Sequence, residues 1–148
     1  MYRLSLFVLV GSLLVLSCES TVGLEPISGV EGNMTFIGEW NSDIQAATII
    51  ALYNLDLDNP STYLVTYSNL IDPGTQEAEY FIQLLPGRYY LATVGITIDP
   101  GLFAVKLDSF LTAENIPLEI IDDDLLNLTT PITIEESKIT RVDRGIVF

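Results

Sequence analysis

Tyr80-Phe81-Ile82-Gln83-Leu84-Leu85-Pro86-Gly87-Arg88-Tyr89-Tyr90-Leu91 places two apolar, aromatic-rich runs on either side of a Pro-Gly corner. Residues 77–85 lead into the corner and residues 89–98 lead out of it. Proline presets φ near −65°, and glycine takes positive φ without steric cost, so the pair suits the two central positions of a type II turn. The stretch therefore predicts a β-hairpin folded at Pro86-Gly87.

The same period of two extends outward in both directions. Residues 62–67 (TYLVTY) read as a strand with Tyr63, Val65 and Tyr67 on one face and Leu64 on the other. Residues 46–53 (AATIIALY) are a compact β-branched run, apolar on both faces, and read as a central strand. Nearer the start, Val30, Met34 and Phe36 alternate with Glu31, Asn33 and Thr35, and Gly29 and Gly32 suggest a bend or bulge. Asp56-Leu57-Asp58-Asn59-Pro60 and Asp72-Pro73-Gly74 are turn chemistry. Beyond Asp99-Pro100-Gly101 the pattern weakens. Residues 102–107 read as a further strand, and residues 108–130 as a short helix or a long loop. Residues 131–135 restore the alternation, and residues 139–148 form a last strand with Val142, Ile146 and Phe148 facing the core. Arg144 falls on that same inward face, so it is expected at the rim, or Gly145 marks a bulge that resets the register. Seven or eight short strands between regularly spaced turn signals predict an all-β sandwich.

The Leu85-Pro86-Gly87-Arg88-Tyr89 corner resembles the leucine-proline-glycine-any-tyrosine hairpin of carboxypeptidase-regulatory-like and transthyretin-like sandwich domains. Gly29-Val30-Glu31-Gly32 with Phe36-Ile37-Gly38-Glu39-Trp40 resembles the opening strand of such domains in small bacterial lipoproteins. The likeness spans residues 27–98, with the final strand fitting loosely. It implies a single Ig-like/transthyretin-like antiparallel β-sandwich of about seven or eight strands. It implies no particular function, because the architecture hosts many.

The N-terminal eighteen residues have a different character. Met1-Tyr2-Arg3 carries one positive charge, and residues 4–16 are an uncharged, mostly apolar run of thirteen. A membrane-spanning helix needs about 20 such residues. Thirteen suits the apolar middle of an export signal. The run ends in Val15-Leu16-Ser17-Cys18, which resembles the lipobox of bacterial lipoproteins: a branched residue three places before Cys and a small one directly before it. The resemblance implies cleavage after Ser17 and a diacylglycerol thioether on Cys18. Cysteine usage points the same way. Cys18 is the only Cys in the chain, and a lone thiol in an exported protein needs an explanation. The expected organisation is a signal peptide over residues 1–17, a lipid-anchored tether over 18–26 and the sandwich over 27–148. Two acyl chains suffice for stable anchoring, at about 0.8 kcal/mol per buried CH₂. Glu19 stands where enterobacterial lipoproteins retained at the inner membrane carry Asp, so an outer-membrane or cell-surface location in the envelope is expected.

Charge and composition exclude several functions. The chain carries 20 acidic and 6 basic residues and a net charge of −14. Nucleic-acid binding needs a cation-rich surface, so no nucleic-acid partner is expected. No histidine is present, which removes the commonest general base and metal ligand. There is no glycine-rich phosphate loop. A catalytic carboxylate pair needs a cleft that one small sandwich does not offer. The expectation is therefore no enzyme, no cofactor and no metal. Asp122-Asp123-Asp124 with Glu119, and Asp56, Asp58 and Asn59, are acid-rich, but neither group follows the EF-hand spacing. They read as solvated or helix-capping acids. Tyr53, Tyr63, Tyr67, Tyr80, Tyr89 and Tyr90 read as core and strand-edge residues. The expected partners are the membrane, through lipidated Cys18, and an envelope protein or a glycan. Exposed Tyr residues or Trp40 would serve a carbohydrate-binding alternative.

Overall fold

The computed structural model describes residues 27–56, 58, 63–110 and 117–148. Among these residues nine strands and two helices follow in order: β1 Gly29–Ile37, β2 Ala46–Leu52, β3 Leu64–Tyr67, β4 Glu77–Gln83, β5 Gly87–Ile96, α1 Pro100–Phe110, β6 Leu118–Ile120, α2 Leu125–Thr129, β7 Ile132–Ile134, β8 Ile139–Arg141 and β9 Arg144–Val147. They build two sheets. In the first, β4 and β8 flank β1, and β9 also pairs with β1. In the second, the order is β3-β2-β5, with β6 and β7 sharing the far edge of β5.

The all-β sandwich reading holds. Val30, Met34, Phe36, Tyr80 and Ile82 of the first sheet meet Ala47, Ile49, Ala51, Tyr89 and Leu91 of the second in the main core. The outer face of the second sheet is covered as well. Ile50, Leu52, Ala92 and Val94 pack against Leu128 of α2, and Ala46 and Ile96 pack against Phe103 of α1. This is why all seven residues of β2 are buried and read as a continuous apolar run. Among the described residues, nothing covers the outer face of the first sheet in this way, and β1 alternates between buried and exposed positions from Gly32 onward.

Four local readings change. First, Pro86-Gly87 is not a hairpin. β4 pairs with β1 and β5 with β2, so the corner is an arch that carries the chain from one sheet to the other. The positive-φ glycines among the described residues are Gly38 and Gly74, so Gly87 does not occupy a type II position. That chemistry belongs to Asp72-Pro73-Gly74-Thr75, where φ of Gly74 is 81° and the Thr75 N–H reaches the Asp72 carbonyl at 3.3 Å. Gly87 is needed for another reason. The Tyr89 ring folds back over it, so that a Cβ there would stand 3.3 Å from the ring, and the Tyr89 hydroxyl donates to the Leu85 carbonyl at 3.0 Å. The apolar runs of β4 and β5 thus face each other across the core instead of lying side by side.

Second, residues 102–107 are helical, within α1. Asp99 caps the helix by accepting from the Leu102 N–H at 2.9 Å, and Pro100 occupies the first position, where its missing N–H costs nothing. Third, Tyr67 does not share a face with Val65. A register shift opposite Ala51/Leu52 turns Tyr67 toward the helices, where its ring meets Phe103 edge-on at 5.6 Å.

Fourth, residues 139–148 form two short strands, and both run parallel to β1, so the first sheet is mixed. The pairing offset is the same on both sides of the break, Gly29 with Ile139 and Met34 with Arg144, so no bulge resets the register. Arg144 therefore points inward with Ile146. It is buried among the core strands and not at the rim, because Asp122 meets it there. At the break the Val142 N–H still donates to the Glu31 carbonyl at 2.8 Å, and two side-chain bonds secure the chain beyond it. The Tyr80 hydroxyl donates to the Val142 carbonyl at 2.6 Å, and the Asn33 N–H donates to Asp143 Oδ1 at 2.8 Å. A Cβ on Gly32 would lie 1.9 Å from the Val142 carbonyl oxygen. Gly32 marks a close approach of two backbones and not a bulge of β1.

Candidate functional site

Cys18, the signal segment 1–17 and the tether 18–26 lie outside the described residues. Among the described residues, no helix is long and apolar enough to cross a membrane.

The acidic run separates into three environments. Asp122 is buried, and its Oδ2 lies 2.5 Å from Arg144 Nη1. Asp123 is exposed. Asp124 caps α2, accepting from the N–H groups of Leu126 at 3.0 Å and Asn127 at 3.2 Å. The other acidic stretch includes an Asx turn, in which the Asp58 N–H donates to Asp56 Oδ1 at 3.1 Å; Asn59 and Pro60 fall outside the described residues. Among the described residues, no group of three or more His, Cys, Asp or Glu side chains is arranged to hold a metal ion.

The Asp122–Arg144 pair is a feature that the reading of the residues missed. Arg144 Nη2 also donates to the Leu91 carbonyl at 3.2 Å and the Asn127 carbonyl at 3.4 Å. Leu91 sits on the edge of β5 between the stretches paired with β7 and β6. The guanidinium fills that gap in the ladder. The available signal was Arg144 itself, an inward position by alternation with Ile146, for which a buried partner had to exist.

The aromatic residues divide between support and exposure. Trp40 is part-buried between Phe36 and Phe148, with ring centroids at 4.6 and 5.0 Å, and its Nε1 donates to the Thr75 carbonyl at 3.3 Å. Tyr80 and Tyr89 are buried, and their hydroxyls are spent on backbone carbonyls. Burial pushes the Tyr80 phenol up to about 12 and also raises that of Tyr89. Tyr67 and Tyr90 pack on the helix side of the second sheet. Tyr53 and Tyr63 are exposed.

The outer face of the first sheet, uncovered among the described residues, is the candidate binding surface. Phe81, Glu31 and Arg141 stand in one cross-strand row, and Glu79, Asn33 and Asp143 stand in the next. Glu31, Asn33, Glu79, Phe81 and Arg141, with Asn69, line a shallow hollow of about 280 Å³. Asn69 Nδ2 donates to the Glu79 carbonyl at 3.1 Å. Arg141 lies 3.4 Å from Asp143. The Asn33 N–H holds the Asp143 carboxyl below its ordinary range, and Arg141 adds to this. A flat ring beside carboxylates and a guanidinium offers hydrophobic contact and directed hydrogen bonds. It contains no nucleophile paired with a base. Comparison with family models, curated proteins and solved structures finds no match to this chain.

Proposed function

We propose that this protein is a membrane-anchored lipoprotein, held by a diacylglycerol thioether on Cys18, whose β-sandwich serves as a non-catalytic binding or scaffolding module in the cell envelope. The observation that carries this reading is Val15-Leu16-Ser17-Cys18 at the end of a thirteen-residue apolar run, with Cys18 the only Cys in the chain. The location that follows is the outer membrane or cell surface. The tie from Tyr89 to Leu85 across the Pro86-Gly87 arch supports a carboxypeptidase-regulatory-like or transthyretin-like domain, since a tyrosine bonded back to a corner is a device of Ig-like sandwiches.

The outer face of the first sheet is the proposed partner surface, with Phe81 as its apolar anchor and Glu31, Glu79 and Arg141 around it. A carbohydrate-binding role is the second reading. Phe81 is the one aromatic residue on that face among the described residues, and Trp40 is enclosed by Phe36 and Phe148. A protein partner is favoured for that reason. Metabolic labelling with a fatty acid tests the anchor. Label should enter the wild-type chain and be absent from Cys18→Ser; continued labelling of that variant refutes the reading.

A further inference from the structure

The chain between Cys18 and the sandwich enters at one pole of the fold, and that pole carries exposed tyrosines beside exposed aliphatic side chains. Ile27 is exposed beside the start of β1. Hydrogen bonds gather the neighbouring loops around it: the Leu84 N–H donates to the Ser28 carbonyl, and the Gly29 N–H to the Lys138 carbonyl, each at 3.1 Å. Leu85, at the tip of the β4–β5 arch, is 76% exposed, and Ile139 is exposed at the start of β8. Tyr89 links Leu85 to Tyr53, because its hydroxyl bonds the Leu85 carbonyl and its ring stacks on Tyr53 at 5.4 Å. Tyr53, 62% exposed, is bonded through its N–H to the Tyr63 carbonyl at 3.0 Å. Two tyrosines and three branched aliphatic residues thus share the end where the tether arrives. At the opposite pole Ile37 and Val147 are exposed as a cross-strand pair, but the aromatic residues there, Phe36, Trp40 and Phe148, pack on one another, so the exposed tyrosines belong to the tether end.

We propose that the pole bearing Ile27, Tyr53, Tyr63, Leu85 and Ile139 rests in the headgroup layer of the membrane that holds Cys18. The inference depends on the lipoprotein reading above and adds to it an orientation. Nine residue steps from Cys18 to Ile27 reach at most about 30 Å, which keeps the pole close to the bilayer. Tethering on that scale gives an effective concentration in the millimolar range, so weak contacts suffice to hold one end down. Tyrosine suits the interface, with its ring toward apolar matter and its hydroxyl in water. Among the described residues, the charges in the loops and strand ends of this pole are Asp56, Asp58, Glu135 and Glu136 against Arg88 and Lys138. The contact is therefore with neutral lipid through apolar side chains, and anionic lipid weakens it. With this pole down, the outer face of the first sheet stands upright, open to a partner approaching from the side.

The test uses the full lipidated chain in phosphatidylcholine vesicles containing a lipid with a nitroxide near its headgroup. A fluorophore is placed at Glu136→Cys, beside the tether, or at Gln76→Cys, at the far end. Cys18, as a thioether, does not take the label. The poles lie about 30 Å apart along β1, so the Glu136→Cys reporter should be quenched at least about threefold more than the Gln76→Cys reporter. Leu85→Asp with Tyr53→Ser should abolish the difference while the protein still floats with the vesicles. Flotation with equal quenching in the otherwise wild-type chain overturns the orientation and leaves the anchor standing. Loss of flotation overturns the anchor and the orientation with it. Protection of Glu136→Cys from a water-soluble quencher without lipid quenching assigns the pole to a second copy of the chain, and also overturns the proposal.

Discussion

Replacing Arg144 by Met tests whether the interior is held by the charge pair between the sheets. The side chains of Arg144 and Asp122 are 3% and 1% exposed, so neither is hydrated where it stands. Removing one partner leaves a buried charge uncompensated, at a cost of about 3–5 kcal/mol. Arg144→Met also strands the Leu91 carbonyl on the edge of β5, and an unpaired buried acceptor costs about 1–3 kcal/mol. The two costs overlap where water enters to solvate both groups, so the expected loss is about 4–5 kcal/mol, against a total of about 5–15 for a domain. Asp122→Leu should cost about 3–5 kcal/mol by stranding the guanidinium. The double variant Asp122→Leu/Arg144→Met has no buried charge; it loses the carbonyl contacts of Arg144 and the bonds that Asp122 accepts from the Thr93 hydroxyl and the Asp124 N–H, so about 1–3 kcal/mol is expected. The double variant should therefore be more stable than Arg144→Met alone. Urea unfolding of a soluble form starting at Glu19, followed by Trp40 fluorescence, measures all four free energies, because Trp40 is the only tryptophan. Additive losses would refute the coupling. Single variants within about 0.5 kcal/mol of wild type would show the pair to behave like a surface contact.

Gly32→Ala should destabilise by about 3 kcal/mol or more, because its Cβ meets a backbone oxygen at 1.9 Å and β8 and β9 must move; unchanged urea unfolding would refute the close approach. Tyr80, raised from 10.0 to about 12, binds its proton more tightly folded than unfolded, so its contribution is complete below pH 10 and is lost as the pH rises toward 12. Tyr80→Phe should flatten that alkaline loss in pH-dependent unfolding, and an unchanged profile would show that another group causes it. Phe148→Ala should cost about 2 kcal/mol, less than the roughly 3–5 for a fully buried Phe, because the ring is half-buried. It should also shift Trp40 emission, since the two rings lie 5.0 Å apart; unchanged stability and emission would make residues 139–148 a loose tail.

The class of the fold was legible because burial writes itself into local patterns. The continuous apolar run of β2 records cover on both faces, and the alternation of β1 records one wet face. Partner choice was not legible, because a strand's pattern says which side is buried and not which strand lies beside it. Residues 77–98 show the limit. The same alternation and the same Pro-Gly corner serve a hairpin within one sheet or an arch between two. What decides is the Tyr89 ring over Gly87 and the hydroxyl bond to Leu85, which no period expresses. Before residues 102–107 the turn-like Asp99-Pro100 is a helix cap, and the apolar residues beyond it lie on a helix and not on a strand, a distinction that a short apolar run does not express.

The candidate sites divide along the same line. A lipidation signal is a contiguous chemical address, so Cys18 and the residues before it are readable without a fold. The Asp122–Arg144 pair joins residues 22 positions apart, and its third contact, Leu91, lies 53 positions from Arg144. Only the topology brings them together, because β9 must run parallel to β1 with an unbroken offset for Arg144 to point inward. That offset survives the break at Val142-Asp143 because Gly32 admits the Val142 carbonyl and Tyr80 reaches across to bond it. The small residue, the long phenol and the buried guanidinium are thus parts of one arrangement. Altering Gly32 should disturb the pairing of Arg144 with Asp122, although no bond connects them.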